Sequence, residues 1–435
     1  MHVIDRAYDG KFGTLIAYFL VGFIVFTFLA LTVQNRSTEK LYPQDETIIM
    51  KWHDEGYFYL GGQRIIGNEV KKTYTWFYLT PAFILQEINI WLSGSFSPRL
   101  MAIYNQLIIW FSAVSIGFLG FRAARRLEAN KKDAFMLGFL ALAVYHTFPW
   151  NIAGYFRIYP TNFWMIFAPL FMAIVLHELE CLPTIARSGI LWIKAILIFL
   201  MFYQEHVASF FLILALIILS HFWFPDYIRK TKFIFTVIIP AILAISLFKG
   251  SILYLYLRFP DLQFTGSSLL YRSGWDGSTE YYKGIWQLFS RHAYLPAYLQ
   301  AAGKARSLAN WGYLVVMAVA SLFVVFWARR RDIKNLIPTE QTLVTIGALA
   351  LQYIFFALIL NQAAITHPFG YDIYMAAPCI VISLVIGPIL LERCIGHRRV
   401  IILFYIIIAL AIIVHQMRMF AVAFPLTPDD MWLKL

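Results

Sequence analysis

Charge is what this chain has least of. Only 14% of its 435 residues are Asp, Glu, Lys or Arg, against 60% hydrophobic ones. Soluble domains carry about 25% charged residues, so a soluble globular fold is excluded. Cysteine is nearly absent: Cys181, Cys379 and Cys394 fall within spans or in connectors expected inside, which excludes a disulfide framework. Metal-type CxxC and Cys/His spacings are missing. No internal repeat is visible, which counts against an inverted-repeat transporter. Acids are scarcer than bases, leaving a net charge of +12.

What remains is apolar and aromatic. Phe, Trp and Tyr make up 18% of the chain, as expected where Trp and Tyr rings sit at headgroup level. Runs of roughly 20 apolar residues match a hydrocarbon core of about 30 Å. Eleven spans are expected, near 13–33, 100–121, 134–150, 159–179, 190–203, 206–224, 232–257, 309–328, 340–361, 371–391 and 399–416. The fold class is therefore an all-α polytopic membrane protein, a single transmembrane domain over 1–435. The first apolar run is too long for a signal peptide and no small-residue cleavage site follows it, so it is expected to be a retained span.

The basic excess is concentrated in short connectors: Arg122, Arg125, Arg126, Lys131 and Lys132; Arg229, Lys230 and Lys232; Arg329, Arg330, Arg331 and Lys334; Arg393, Arg398 and Arg399. Such clusters are orientation signals, and they explain the net charge without a nucleic-acid partner. They put the N-terminus inside and the C-terminus outside. The apolar segment 74–93 must then not cross, since crossing would move the Arg122–Lys132 cluster outside. Its Pro81, Gln86, Glu87 and Asn89 suit an interfacial or re-entrant helix on the outer face.

Function is expected on the outer face, which holds two large loops, 34–99 and 258–308, and short turns near 147–158, 203–206 and 361–371. The first loop carries Asp45, Glu46, His53, Asp54 and Glu55. A carboxylate beside a low-dielectric surface gains proton affinity and suits a general base; a solvated loop of ordinary charges is the other reading. Arg157, set among Trp150, Tyr155 and Tyr159, either grips a phosphate through its forked donors or snorkels from an aromatic belt. Glu205 and His206 either line a polar cavity or serve a hairpin turn. Lys249, near the outer end of the seventh span, would otherwise be an unpaired buried cation, and with Arg258, Arg272 and Arg291 it is a candidate for phosphate, a lid loop with surface cations being the other reading. Trp275 offers an apolar face for a sugar ring. His367 opens the last turn, where Asp372 either caps the following helix or joins a pocket.

The order of features resembles a family. An N-terminal span leads to an outer loop opening with Asp45-Glu46. Then come an interfacial helix ending in Leu92-Ser93-Gly94-Ser95, Arg99-Leu100 opening the next span, and the inner cap Arg122, Arg125, Arg126 and Leu127. This is similar to the GT-C fold integral-membrane glycosyltransferases, which include protein O-mannosyltransferases and lipid A aminoarabinose transferases. The similarity is clearest over residues 13–180. It implies a GT-C-like arrangement with outer-face interfacial helices and Asp45 as general base with Glu46 beside it. It also implies that the phosphate of a polyprenyl-phosphate sugar rests on Arg157, Lys249, Arg258 and Arg272. Asp54, Glu55, Tyr159, Asn162, Glu205, His206, Trp275 and His367 are the substrate-contact candidates. Many members carry an acid where this chain has Asn162, which favours a metal-independent mechanism with no cofactor.

The resemblance implies transfer of a sugar, with inversion, to a glycan, lipid or protein acceptor on the extracytoplasmic face of a plasma membrane, a bacterial one being favoured. Membrane lipids are the other expected partner. Two other classes stand beside it: an O-antigen polymerase or ligase, whose large Arg-rich loop usually comes late, and a transporter or flippase of lipid-linked or anionic substrates.

Overall fold

The computed structural model describes residues 98–148, 160–180, 188–223, 227–258, 336–359 and 368–423, together with 13, 16–24, 88, 91–92, 94, 151, 318–321 and 323. No strand occurs among them. The helices are α1 (Pro98–Arg126), α2 (Lys131–His146), α3 (Pro160–Glu180), α4 (Ser188–Trp223), α5 (Tyr227–Arg258) and α6 (Leu336–Ile359). Then come α7 (Pro368–Val381), a π turn (Ile382–Ile386), α8 (Gly387–Ile395) and α9 (Arg398–Ala423). Each of the eleven expected spans holds helix among the described residues, the first at 16–24 and the eighth at 318–323.

Among the described residues, three helical stretches are long and apolar enough to cross a membrane: Gln106–Arg126, Tyr374–Ile395 and Arg398–Met417. Shorter apolar ones run Phe163–Glu178, Ile190–Phe202, Val207–Phe222 and Ile234–Gly250. Large apolar side chains also face outward, with Leu20, Ile24, Phe222, Phe235, Leu257, Phe323 and Val400 all exposed. Water would not tolerate that surface and lipid does. This is a membrane protein.

Local chemistry sets the turns. Pro98 opens α1, where its missing N–H costs nothing. Arg125 and Arg126 close it, matching the negative end of the helix dipole. Glu128 takes a left-handed φ of 61°, and Asn130 then caps α2 by accepting the Asp133 N–H at 2.9 Å. A second tight turn, between α8 and α9, uses Gly396 at φ 79°, whose N–H bonds Glu392 O at 2.7 Å.

Close packing of α1 on α2 depends on small residues. A Cβ on Gly138 would lie 2.6 Å from Gly117 O and 3.0 Å from Phe121 N, and one on Gly117 3.0 Å from Gly138 O. Backbones can approach this closely only where no side chain intervenes. Tyr18 closes the gap from outside, its hydroxyl donating to Phe135 O at 2.8 Å while its ring stacks on Phe135.

Polar contacts collect the basic ends of the helices at one end of the bundle. Arg122 meets His177 Nδ1 at 2.8 Å, Arg126 bonds Gln341, and Lys194 bonds Glu178 at 2.7 Å and Thr236 O at 2.8 Å. Arg393 donates to Leu127 O at 2.6 Å, and Arg398 pairs with Asp133. The end of α3 and the starts of α4, α5 and α6 thus gather beside the α1–α2 and α8–α9 turns.

These contacts also reveal that α4 doubles back. On a straight helix Lys194 would lie about 43 Å before Trp223, at about 1.5 Å per residue. The three-residue connector and the nine residues of α5 before Thr236 retrace at most about 29 Å. Yet Lys194 touches Thr236, and Phe202 lies 5.8 Å from Phe248, so the first half of α4 runs parallel to α5. In the second half, Phe211 faces Phe355 and Leu219 approaches Gly347, so that half runs antiparallel to α6. The reversal falls between Phe202 and Ser209. It is the hairpin expected near 203–206, set in a segment that has no Pro or Gly from Ile190 to Trp223.

Lys249 lies on the outward face of its helix. Val237, Ala241, Ala244 and Phe248 form the inward stripe of α5, and Ile242, Ser246, Lys249 and Leu253 the outward one. A spacing of three and four residues sets the two faces, and Lys249 belongs to the lipid-facing stripe.

Candidate functional site

Of the residues expected to act, Asp45, Glu46, Asp54, Glu55, Arg157, Tyr159, Arg272, Trp275 and His367 lie outside the described residues. So does most of the proposed interfacial helix, of which Ile88, Trp91 and Leu92 are described as helical and exposed. Asn162 stands in the first turn of α3, Glu205 and His206 at the reversal of α4, and Arg258 at the last residue of α5.

These four backbone positions share the end of the bundle opposite the basic one. The bond that joins α3 to α4 there is Trp164 Nε1 donating to Ser209 Oγ at 2.9 Å. It holds the start of α3 against α4 just past its reversal, and Asn162 and His206 are each within about one turn of it. Tyr374 of α7 meets the Trp164 ring edge-on, with centroids 4.8 Å apart. Trp164 and Ser209 are fully buried and Tyr374 nearly so. A buried indole N–H requires an acceptor, so Ser209 fixes the ring.

A second buried polar group closes the same end. Thr147 Oγ1 lies 2.7 Å from Gln416 Oε1 and 2.9 Å from Ala143 O, its single proton shared between these acceptors. Asn151 Nδ2 bonds Tyr145 O at 2.5 Å, and the Asn151 N–H bonds Phe148 O at 2.8 Å. Gln416 Nε2 and Asn151 Oδ1 have no hydrogen-bond partner among the described residues. Burying such groups in a membrane core is costly.

Sequence reasoning did not single out Trp164, Ser209, Tyr374, Thr147 or Gln416. One signal for Gln416 was there: His415-Gln416 interrupts an otherwise apolar run from Val400 to Val414, and intramembrane polar residues are functional candidates by default. The Trp164–Ser209 pair, 45 residues apart, left no such mark. Among the described residues no three His, Cys, Asp or Glu side chains come together.

No family model matches this chain, and no curated protein does. Among solved structures it is similar to the apo oligosaccharyltransferase of Archaeoglobus fulgidus, at 14% identity and a TM-score of 0.49. The match covers 94% of this chain and 56% of that one, so this chain spans a little over half of that protein's length.

Proposed function

We propose that this membrane protein is a glycosyltransferase that moves a sugar, with inversion, from a polyprenyl-phosphate carrier to an acceptor on the extracytoplasmic face. The observation that carries the reading is where the two large polar loops attach. Loop 34–99 leads into the start of α1 and loop 258–308 leaves the end of α5, and both junctions belong to the end of the bundle opposite the basic connectors. That end also holds Asn162, Glu205, His206 and the buried hydroxyl and amide groups. With the basic end cytoplasmic, acids, cations and sugar-compatible groups meet at one membrane surface.

The chemistry follows from the donor. Its tail lies in the bilayer, so its phosphate enters from the side, where the outward-facing Lys249 and then Arg258, Arg157 and Arg272 would hold it. The departing polyprenyl phosphate needs cationic stabilisation rather than protonation. Asp45 accepts the proton of the acceptor hydroxyl as that oxygen attacks the anomeric carbon, and Glu46 orients it. A single displacement inverts the carbon.

The test is to incubate the purified chain with a labelled polyprenyl-phosphate sugar and a panel of glycan, lipid and peptide acceptors. Release of polyprenyl phosphate with formation of an inverted product is expected. Intact carriage of the lipid-linked sugar across a vesicle membrane, without release, would replace the transferase by a flippase.

A further inference from the structure

The basic end of the bundle carries more cations than its own acids neutralise. Arg398 takes Asp133, with Glu392 3.8 Å away, and Arg393 lies 3.6 Å from Glu128. These pairs and the Arg393 bond to Leu127 O latch the α8–α9 turn onto the α1–α2 turn. Lys131, Lys132 and Arg399 stay exposed, with no acid in ion-pair distance among the described residues. Since Arg398 is bonded to Asp133, all three share one surface.

Beside that surface α9 is bare. Only 22% of its apolar window is buried, against 83% and 89% for the other two long apolar helices. Its exposed residues Val400, Leu403, Phe404, Ile407, Leu410 and Val414 form one stripe at helical spacing that begins next to Arg399. The stripe runs about 21 Å, longer than the roughly 15 Å of one leaflet. A cationic cluster at the head of an acyl-length apolar stripe has the two-part chemistry of an anionic phospholipid, with phosphate above and tail below.

We infer that Lys131, Lys132 and Arg399 with the outward stripe of α9 form a binding site for an anionic phospholipid of the leaflet at the basic end. The lipid bridges the two latched turns and supplies the negative charge that the protein lacks there. The site is independent of the transferase reading, since it lies at the opposite end of the bundle.

The experiment delipidates the purified full chain and measures retention of phosphatidylglycerol and of phosphatidylcholine with identical acyl chains by native mass spectrometry. Phosphatidylglycerol is expected to be retained preferentially. Lys131→Gln, Lys132→Gln and Arg399→Gln should each weaken that retention about fivefold and the triple variant by about two orders of magnitude. Lys131→Arg, Lys132→Arg and Arg399→Lys together should restore it, which separates charge from fold. Equal retention of the two lipids, or a triple variant indistinguishable from wild type, overturns the site. Displacement of the lipid by an equal concentration of inorganic phosphate overturns the lipid as its occupant.

Discussion

Gly138 leaves no room for a methyl group. Its Cβ would lie within 3.0 Å of backbone atoms of Gly117 and Phe121, and only the Tyr18 hydroxyl among its neighbours could swing away. Gly138→Ala is expected to destabilise the bundle by about 1–3 kcal/mol, whereas Gly250→Ala, with nothing within 4 Å, should stay within about 1 kcal/mol of wild type. Thermal unfolding in detergent distinguishes the two. Lys194 makes a second residue-scale case. It is 4% exposed and bonded to Glu178, itself 23% exposed. Glu178→Gln should cost about 2–3 kcal/mol, because a nearly buried ammonium loses its counter-charge while the carboxylate was partly solvated. Lys194→Met with Glu178→Met should cost less than Glu178→Gln alone, and the reverse order would refute the pairing argument. None of these contacts was legible in the sequence. Gly138 reads as one small residue in an apolar run, and Lys194 as a stray cation in a span, until the fold brings in partners 16 and 42 residues away.

Elements were far more legible than contacts, because hydrophobic runs of bilayer length and basic connectors are local signals. The starts and ends of α1, α3 and α5 lie within a few residues of the expected spans. Two things at this scale escaped. Which stripe of α5 faces inward depends on what packs against it, so the outward position of Lys249 was not readable. The α4 hairpin was expected at Tyr203–His206 and falls there, but those four residues include no helix breaker, so sequence could not show that Trp164 and Ser209 pin it. The hairpin makes its own prediction. Cysteines placed at Ser188 and Trp223 should be labelled by an impermeant reagent from the same side of the membrane. Labelling from opposite sides would mean that α4 is a single crossing.

For the whole molecule, the two ends of the bundle have different chemistry: ion pairs and cations at one, buried neutral hydroxyl and amide groups with both large loops at the other. The division was readable from the basic connectors, while the polar groups at the far end were not, since Thr147 and Gln416 are 269 residues apart in sequence. A cysteine at Ala129 should be reached only from the cytoplasmic side, and outer labelling there would invert the bundle and move the proposed site to the wrong face. The central claim is that a carboxylate in the first outer loop serves as base for sugar transfer from a polyprenyl phosphate. Asp45→Asn keeps the size and hydrogen-bonding capacity of the side chain and removes its charge. Release of polyprenyl phosphate from a labelled lipid-linked sugar should fall about 10²- to 10⁴-fold at matched protein amounts, with abundance and donor binding unchanged and Glu46→Gln milder. Turnover by Asp45→Asn at the wild-type rate would contradict the account and send the search for the base to Asp54 and Glu205.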